Sequence, residues 1–173
     1  MLFSACKNTA HKMENTTFKA EKVTRTATIT LNGNIKVVFP LFGAFEERKW
    51  AEGWNPTLIY PSTEIIEEGT TFKTQGHGDE SEYLWRVSKY DPGNYQIQYL
   101  VSTQNRYWTI TVKCKSATDA QTLAEITYTF IGLNEMGNKL NQHAIQRMYQ
   151  HNLLDWAEEI NYYLANGRLK TSH

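Results

Sequence analysis

Seven aromatic side chains and one pair of helix residues have the types and spacing to build a binding site. Trp85, Tyr99, Trp108 and Tyr128 each fall on the apolar parity of a predicted strand, and Trp54, Tyr60 and Phe72 join them from an adjacent turn and neighbouring strands. An aromatic with a polar handle holds an apolar body with its ring and fixes it through one hydrogen bond from its OH or NH. The same residues also serve as core filler, because interiors pack densely and a concave sheet needs bulky side chains. His143 and Arg147 stand four residues apart on a predicted helix and so share a face. Facing a cavity, His143 would exchange a proton and Arg147 would clamp a carboxylate. The competing reading leaves both on a solvated flank. His151 extends the row, and three such groups are costly to bury together.

Other chemistry finds little support. His77, Asp79 and Glu80 belong to a flexible loop, and His143 and His151 lack the four-residue spacing that aims two imidazoles at one ion. No metal site and no cofactor are expected. Neither a Gly-rich phosphate loop nor a nucleophile elbow occurs. Cys114, on an apolar strand, reads as inert packing. Asp155, Glu158 and Glu159 read as a solvated face, and Glu46, Glu47, Arg48 and Lys49 as a solvated turn.

The elements that would position these residues follow from periodicity. Val23 to Leu31 alternates strictly, with Thr24, Thr26, Thr28 and Thr30 on one parity and mostly apolar residues on the other, which predicts a strand. Asn32-Gly33-Asn34 breaks it. Ile35 to Phe39 and Leu41 to Phe45 then predict one or two short helices interrupted by Pro40. Short strands follow: Thr57 to Tyr60, a segment within Glu64 to Thr74, then runs carrying Tyr83, Trp85 and Val87, and Tyr95, Ile97, Tyr99 and Val101. Two more carry Trp108, Ile110, Val112 and Cys114, and Ala124, Ile126, Tyr128 and Phe130. Turns at Asp91-Pro92-Gly93-Asn94, Gln104-Asn105 and Ser116 to Asp119 make them an antiparallel meander. Past Leu133 the period changes to three and four, with Ile145, Tyr149, Leu153, Ala157, Ile160 and Leu164 in one stripe. Asn134 caps the start, Asn166-Gly167 supplies the stop, and Gly137 is a place where the first turn could break. Unbroken, this helix has about 32 residues and runs roughly 48 Å, so it must lie across the sheet.

Composition narrows the partner. The 173 residues suit one domain and bury roughly 70% of the unfolded chain's surface. Eighteen basic residues balance eighteen acidic ones, which argues against a nucleic-acid binder. No run approaches the ~20 apolar residues of a membrane span, so no stable membrane insertion is expected. Cys6 and Cys114 are the two cysteines, which suggests a reducing, cytoplasmic setting. Phe3-Ser4-Ala5-Cys6 loosely resembles a lipoprotein cleavage site, but no apolar run of about 7–15 residues precedes it. Residues 1–20 are expected to form a disordered tail before a single domain at 21–173.

Several blocks together carry a family resemblance. They are Phe39-Pro40-Leu41-Phe42, then Glu47-Arg48-Lys49-Trp50-Ala51-Glu52-Gly53-Trp54-Asn55-Pro56, and Glu68-Gly69-Thr70-Thr71-Phe72. Trp85-Arg86-Val87, Tyr90-Asp91-Pro92, Tyr99, Thr127-Tyr128-Thr129, Leu133 to Asn138 and Asn161-Tyr162-Tyr163-Leu164 complete the set. Spanning about Val23 to Lys170, they resemble the START-like, birch-pollen-allergen-like superfamily, also called SRPBCC or polyketide-cyclase-like. The first and last blocks resemble one uncharacterised bacterial branch of it. The resemblance implies an α+β helix-grip fold: a curved antiparallel sheet wrapped around a long C-terminal helix, with two short helices after the first strand. It also implies a cavity that takes lipids, sterols, polyketides or other hydrophobic molecules in various relatives. No activity transfers with it, because carriers, cyclases, hydroxylase subunits and chaperone regulators share the scaffold.

The leading expectation is therefore binding of a hydrophobic or amphipathic small molecule, lipid-like or aromatic, between sheet and C-terminal helix. The alternatives are a cyclase-, dehydratase- or hydrolase-like enzyme using the same cavity, and a protein-interaction module with a filled core.

Overall fold

Strict alternation produces the first strand. β1 (Lys22–Leu31) buries Ala27, Ile29 and Leu31 and turns its threonines the other way. There the Thr24 and Thr26 hydroxyls meet those of Thr129 and Thr127 at 3.2 and 2.9 Å. The computed structural model describes residues 17–171, with Tyr149 described in its backbone alone. The expectations for Cys6 and for most of the tail fall on residues 1–16, outside the described residues.

Six more strands follow: β2 (Thr57–Tyr60), β3 (Thr71–Gln75), β4 (Glu82–Asp91), β5 (Gln96–Ser102), β6 (Arg106–Thr118) and β7 (Gln121–Gly132). They form one sheet in the order β1-β7-β6-β5-β4-β3-β2, antiparallel throughout. Consecutive strands pair from β2 to β7, and β1 closes beside the last, as short turns require. Trp85, Val87, Ile97, Tyr99, Val101, Trp108, Ile110 and Val112 bury one face of the sheet.

Local chemistry moves some boundaries from their predicted places. The first of the two short helices is a single turn, α1 (Ile35–Val38), capped by the Asn34 side chain on the Lys36 amide at 3.0 Å. Pro40 has no amide to donate, and the chain tightens there into a 3₁₀ turn over Phe39–Phe42. A second 3₁₀ turn covers Glu46–Lys49. Tyr95 is left-handed (φ 51°) and closes its turn, so β5 begins one residue later than its alternation suggests. β6 runs on to Thr118 past a bulge, through most of the predicted Ser116 to Asp119 turn.

The largest correction concerns the long helix, which is two helices. α2 (Glu135–His151) ends where Asn152 and Leu153 both turn left-handed, at φ 52° and 57°, and α3 (Leu154–Asn166) then resumes. Asn tolerates that region, whereas Leu153 there costs about 1–2 kcal/mol. Burial of Leu153, and a hydrogen bond from the Arg25 guanidinium to the Asn152 side chain, offset it. Ile145, Leu153 and Ile160 stay buried across the break. α2 packs on β7, β1 and β6, and α3 on β1.

Gly137 does not break the first turn of α2. It lets that turn sit against the β5–β6 connection: a Cβ there would stand 1.9 Å from the Asn105 carbonyl oxygen. Gly→Ala inside a helix ordinarily stabilises by about 1 kcal/mol. At Gly137 the sign should reverse, with a loss of about 1–3 kcal/mol from overpacking against rigid backbone. A urea titration of Gly137→Ala in which stability rises would contradict this close contact.

Candidate functional site

The sheet's concave face and the two C-terminal helices enclose two adjoining spaces. The outer one is a cleft of about 1000 Å³ that Trp54, Trp85, Trp108, Tyr128, Phe130 and Trp156 wall with aromatic surface. The inner one is a chamber of about 190 Å³ between Glu47, Trp50, Trp85, Tyr99, Tyr128 and Trp156. Ala51, Trp54, Trp85, Ile110, Tyr128 and Trp156 line both, so the chamber opens off the cleft.

Most polar handles of the aromatics are bonded to the protein. Trp50 and Trp54 donate their indole N–H to the carbonyls of Leu41 and Ala44 at 2.7 and 2.6 Å. The Trp85 indole donates to Thr74 Oγ1 at 2.9 Å, and the Tyr99 hydroxyl to the Phe42 carbonyl at 2.8 Å. These contacts fix the rings and leave their π surfaces to the cavity. Burial raises the pKa of Tyr99 well above the phenolic range, with the nearby charge of Glu47 adding to it. Tyr128 is raised for the same two reasons in the same order, with Asp155 adding least. Both stay neutral phenols at ordinary pH.

Sequence reasoning missed Trp50 and Trp156 of the lining, and it missed Glu47. Within a charged run it reads as solvated, and its neighbours are: Glu46 pairs with Lys49, and Arg48 bonds both Glu64 oxygens at 2.9 Å. The run is a 3₁₀ turn, however, in which side chains three apart eclipse. Glu47 therefore shares a side with buried Trp50 and enters the chamber. Its carboxyl makes no hydrogen bond or ion pair among the described residues, and burial pushes its pKa well above the carboxylate range. The signal available in the sequence was the three-residue spacing to a tryptophan.

A raised folded-state pKa favours the protonated form. The stability that Glu47 contributes is full below about pH 4.3 and is lost as pH climbs through the raised value. Melting temperatures of wild type and Glu47→Gln should be close in acid, with the variant pulling ahead as pH rises. Parallel melting curves across that window would contradict the burial of this carboxyl.

Glu80 corrects a second reading. It does sit in the loop between β3 and β4, but its side chain is held in the interior: it is 5% exposed and grips Arg106, also 5% exposed, with both oxygens on Nε at 3.1 and 3.0 Å. A third bond runs from an Arg106 terminal nitrogen at 2.5 Å, and the Thr103 hydroxyl donates to the same carboxylate at 2.7 Å. The Arg106 guanidinium lies 4.8 Å over the Trp108 ring and lines the cleft with its charge already matched.

No family profile and no curated protein matches the sequence. Solved structures do match in shape. Norcoclaurine synthase from Thalictrum flavum, in complex with dopamine and hydroxybenzaldehyde, superposes with a TM-score of 0.65 at 10% identity, over 87% of this chain and 91% of that one. The Zhui aromatase/cyclase from Streptomyces sp. R1128 gives 0.63 at 10% identity, over 85% and 98%. Ara h 8.0201 gives 0.61 at 15% identity, over 84% and 100%. This is the helix-grip fold, a curved antiparallel sheet with C-terminal helices against it. Its neighbours here include enzymes and an allergen.

Within the helix grip the expected site residues separate. Trp54, Trp85 and Tyr128 line both spaces, Trp108 the cleft and Tyr99 the chamber. Phe72 is wholly buried one layer behind, stacked on Trp85 with centroids 5.6 Å apart. Tyr60 points away and is 56% exposed. A bulge in β2 lets Leu58 pair with Phe72 and Tyr60 with Thr71, which puts Tyr60 on the opposite face. His143 is exposed on the flank and lines neither space, while Arg147, exposed as well, reaches the rim of the cleft. Cys114 is buried on β6, and burial pushes its thiol up to about 12, which removes it as a nucleophile. Among the described residues, no helix is long and apolar enough to cross a membrane.

Proposed function

We propose that this protein binds a hydrophobic or amphipathic small molecule, lipid-like or aromatic, in the cavity between sheet and C-terminal helices. The observation that carries this reading is the cleft of about 1000 Å³, walled by aromatic rings of which Trp54 and Trp85 are fixed by hydrogen bonds from their indoles to the protein. Small-molecule sites run from about 300 to 1,000 Å³ and bury their ligand against such surfaces. A filled-core interaction module has no use for that space. The balanced charge supports a small molecule over nucleic acid, and two cysteines are compatible with a reducing cytoplasm.

One observation favours a second reading. A carboxyl with a raised pKa beside a phenol suits general acid–base work, as in a cyclase- or dehydratase-like enzyme. Two neighbours on this fold are a synthase and an aromatase/cyclase.

Native mass spectrometry of freshly purified protein, with solvent extraction of anything bound, tests the binding reading. A stoichiometric apolar adduct is expected, reduced in Trp85→Ala. A clean apo mass, together with an unmoved melting temperature across a lipid and aromatic panel, would sink it.

A further inference from the structure

The inner chamber contains an acid and no base. Glu47 lines it, and the cations nearest in sequence are committed outside: Lys49 to Glu46, and Arg48 to Glu64. In the adjoining cleft Arg106 is held by Glu80. Around Glu47 stand four tryptophans and two tyrosines in crossed orientations. Trp54 meets Trp85 at 89° with centroids 5.3 Å apart, and Trp50 meets Trp156 at 59° and 5.5 Å. Rings set at such angles surround a volume instead of stacking into a slab.

Each candidate occupant meets this chamber differently. An anion finds few donors, because three of the four tryptophan N–H groups and the Tyr99 hydroxyl are already given to the protein. It would also face Glu47. A neutral hydrocarbon leaves the carboxyl without a partner, which is costly in a desolvated site. A cation is attracted by both components: the ring faces turn negative potential toward it, and its arrival draws the Glu47 carboxyl to the ionised form as the matching charge. We propose that the chamber receives the cationic head of an amphipathic amine or quaternary ammonium, with the apolar body lying outward in the cleft. This rests on the binding reading above and specifies its ligand class.

Three probes of similar size separate charge from shape: benzyltrimethylammonium, its neutral isostere neopentylbenzene, and 3-phenylpropionate. Each is titrated by calorimetry into the full-length protein and into Glu47→Gln. Wild type should bind the ammonium about ten-fold or more tighter than the isostere, and the carboxylate weakest of the three. In Glu47→Gln the preference should collapse to about two-fold or less, with the isostere unchanged or improved. Wild type binding isostere and ammonium equally would overturn the charge assignment and leave the binding reading standing. A preference that survives Glu47→Gln intact would overturn the role of that carboxyl. Binding of none of the three, with a clean apo mass, would remove both readings. The wild-type comparison needs no variant, so a folding defect in Glu47→Gln cannot decide the outcome.

Discussion

Arg106→Met should cost about 3–5 kcal/mol, because it leaves the Glu80 carboxylate buried and unmatched. A surface pair such as Lys73–Glu82 would move stability by about 1 kcal/mol or less. What separates the two is desolvation: Glu80 and Arg106 are each about one-twentieth exposed and share three close bonds. Removing one partner exposes the other's full burial cost, and Thr103 alone cannot neutralise it. The paired change Glu80→Met with Arg106→Met should recover most of the loss, since two apolar chains of similar volume replace a matched pair at small net cost. Urea unfolding of the four proteins forms a double-mutant cycle, and near-additive losses would show that the pair is not coupled. The pair ties the segment before β4 to the start of β6, and Arg106 reaches on to Asn141 of α2 at 3.4 Å. Loss of the pair should therefore loosen the cleft's floor and roof together.

Phe72→Ala should cost a similar amount, about 3–5 kcal/mol, by opening a cavity in the densest aromatic cluster. Phe72 stacks on Trp85, and meets Tyr99 at 6.1 Å, Trp54 at 6.3 Å and Phe45 at 6.1 Å. It touches neither the cleft nor the chamber, yet it backs Trp54, Trp85 and Tyr99, all of which do. The variant should bind cavity ligands more weakly in proportion to its lost rigidity. Phe72→Leu, which refills most of the space, should restore binding along with stability. If Phe72→Ala lost ligand affinity at undiminished stability, Phe72 would be a contact residue after all.

The sheet was readable in the residues because each strand segregates its faces. Trp108, Ile110, Val112 and Cys114 are all buried on β6, and the threonines of β1 face outward. A half-buried strand leaves that imprint whatever it packs against. The break at Asn152–Leu153 leaves none. Neither residue is Gly or Pro, and the apolar spacing from Ile145 through Leu153 to Ile160 continues as though the helix did. The strand aromatics of the cavity wall were legible from parity, but the β2 bulge turned Tyr60 out and Phe72 lies a layer behind. Trp50 and Trp156 reach the wall from a turn and from α3, where strand parity says nothing. The charged part was not. Glu47 and Glu80 sit in polar runs, and what distinguishes them is tertiary: a tight turn that aims one inward, and an arginine 26 positions away that meets the other.

The joint between α2 and α3 divides the roof of the cavity unequally. Ala144, Arg147 and Met148 of α2 border the cleft alone, whereas Trp156 of α3 borders both cleft and chamber. The chamber is thus roofed by α3 alone and the cleft by both helices, which meet at a two-residue seam. Substitutions along α3 can re-specify what the interior accepts while α2 keeps its seat on β7, β1 and β6. The α2 border of the cleft can then vary without touching the chamber's lining, whereas a single rigid rod across the sheet would have tied the two together.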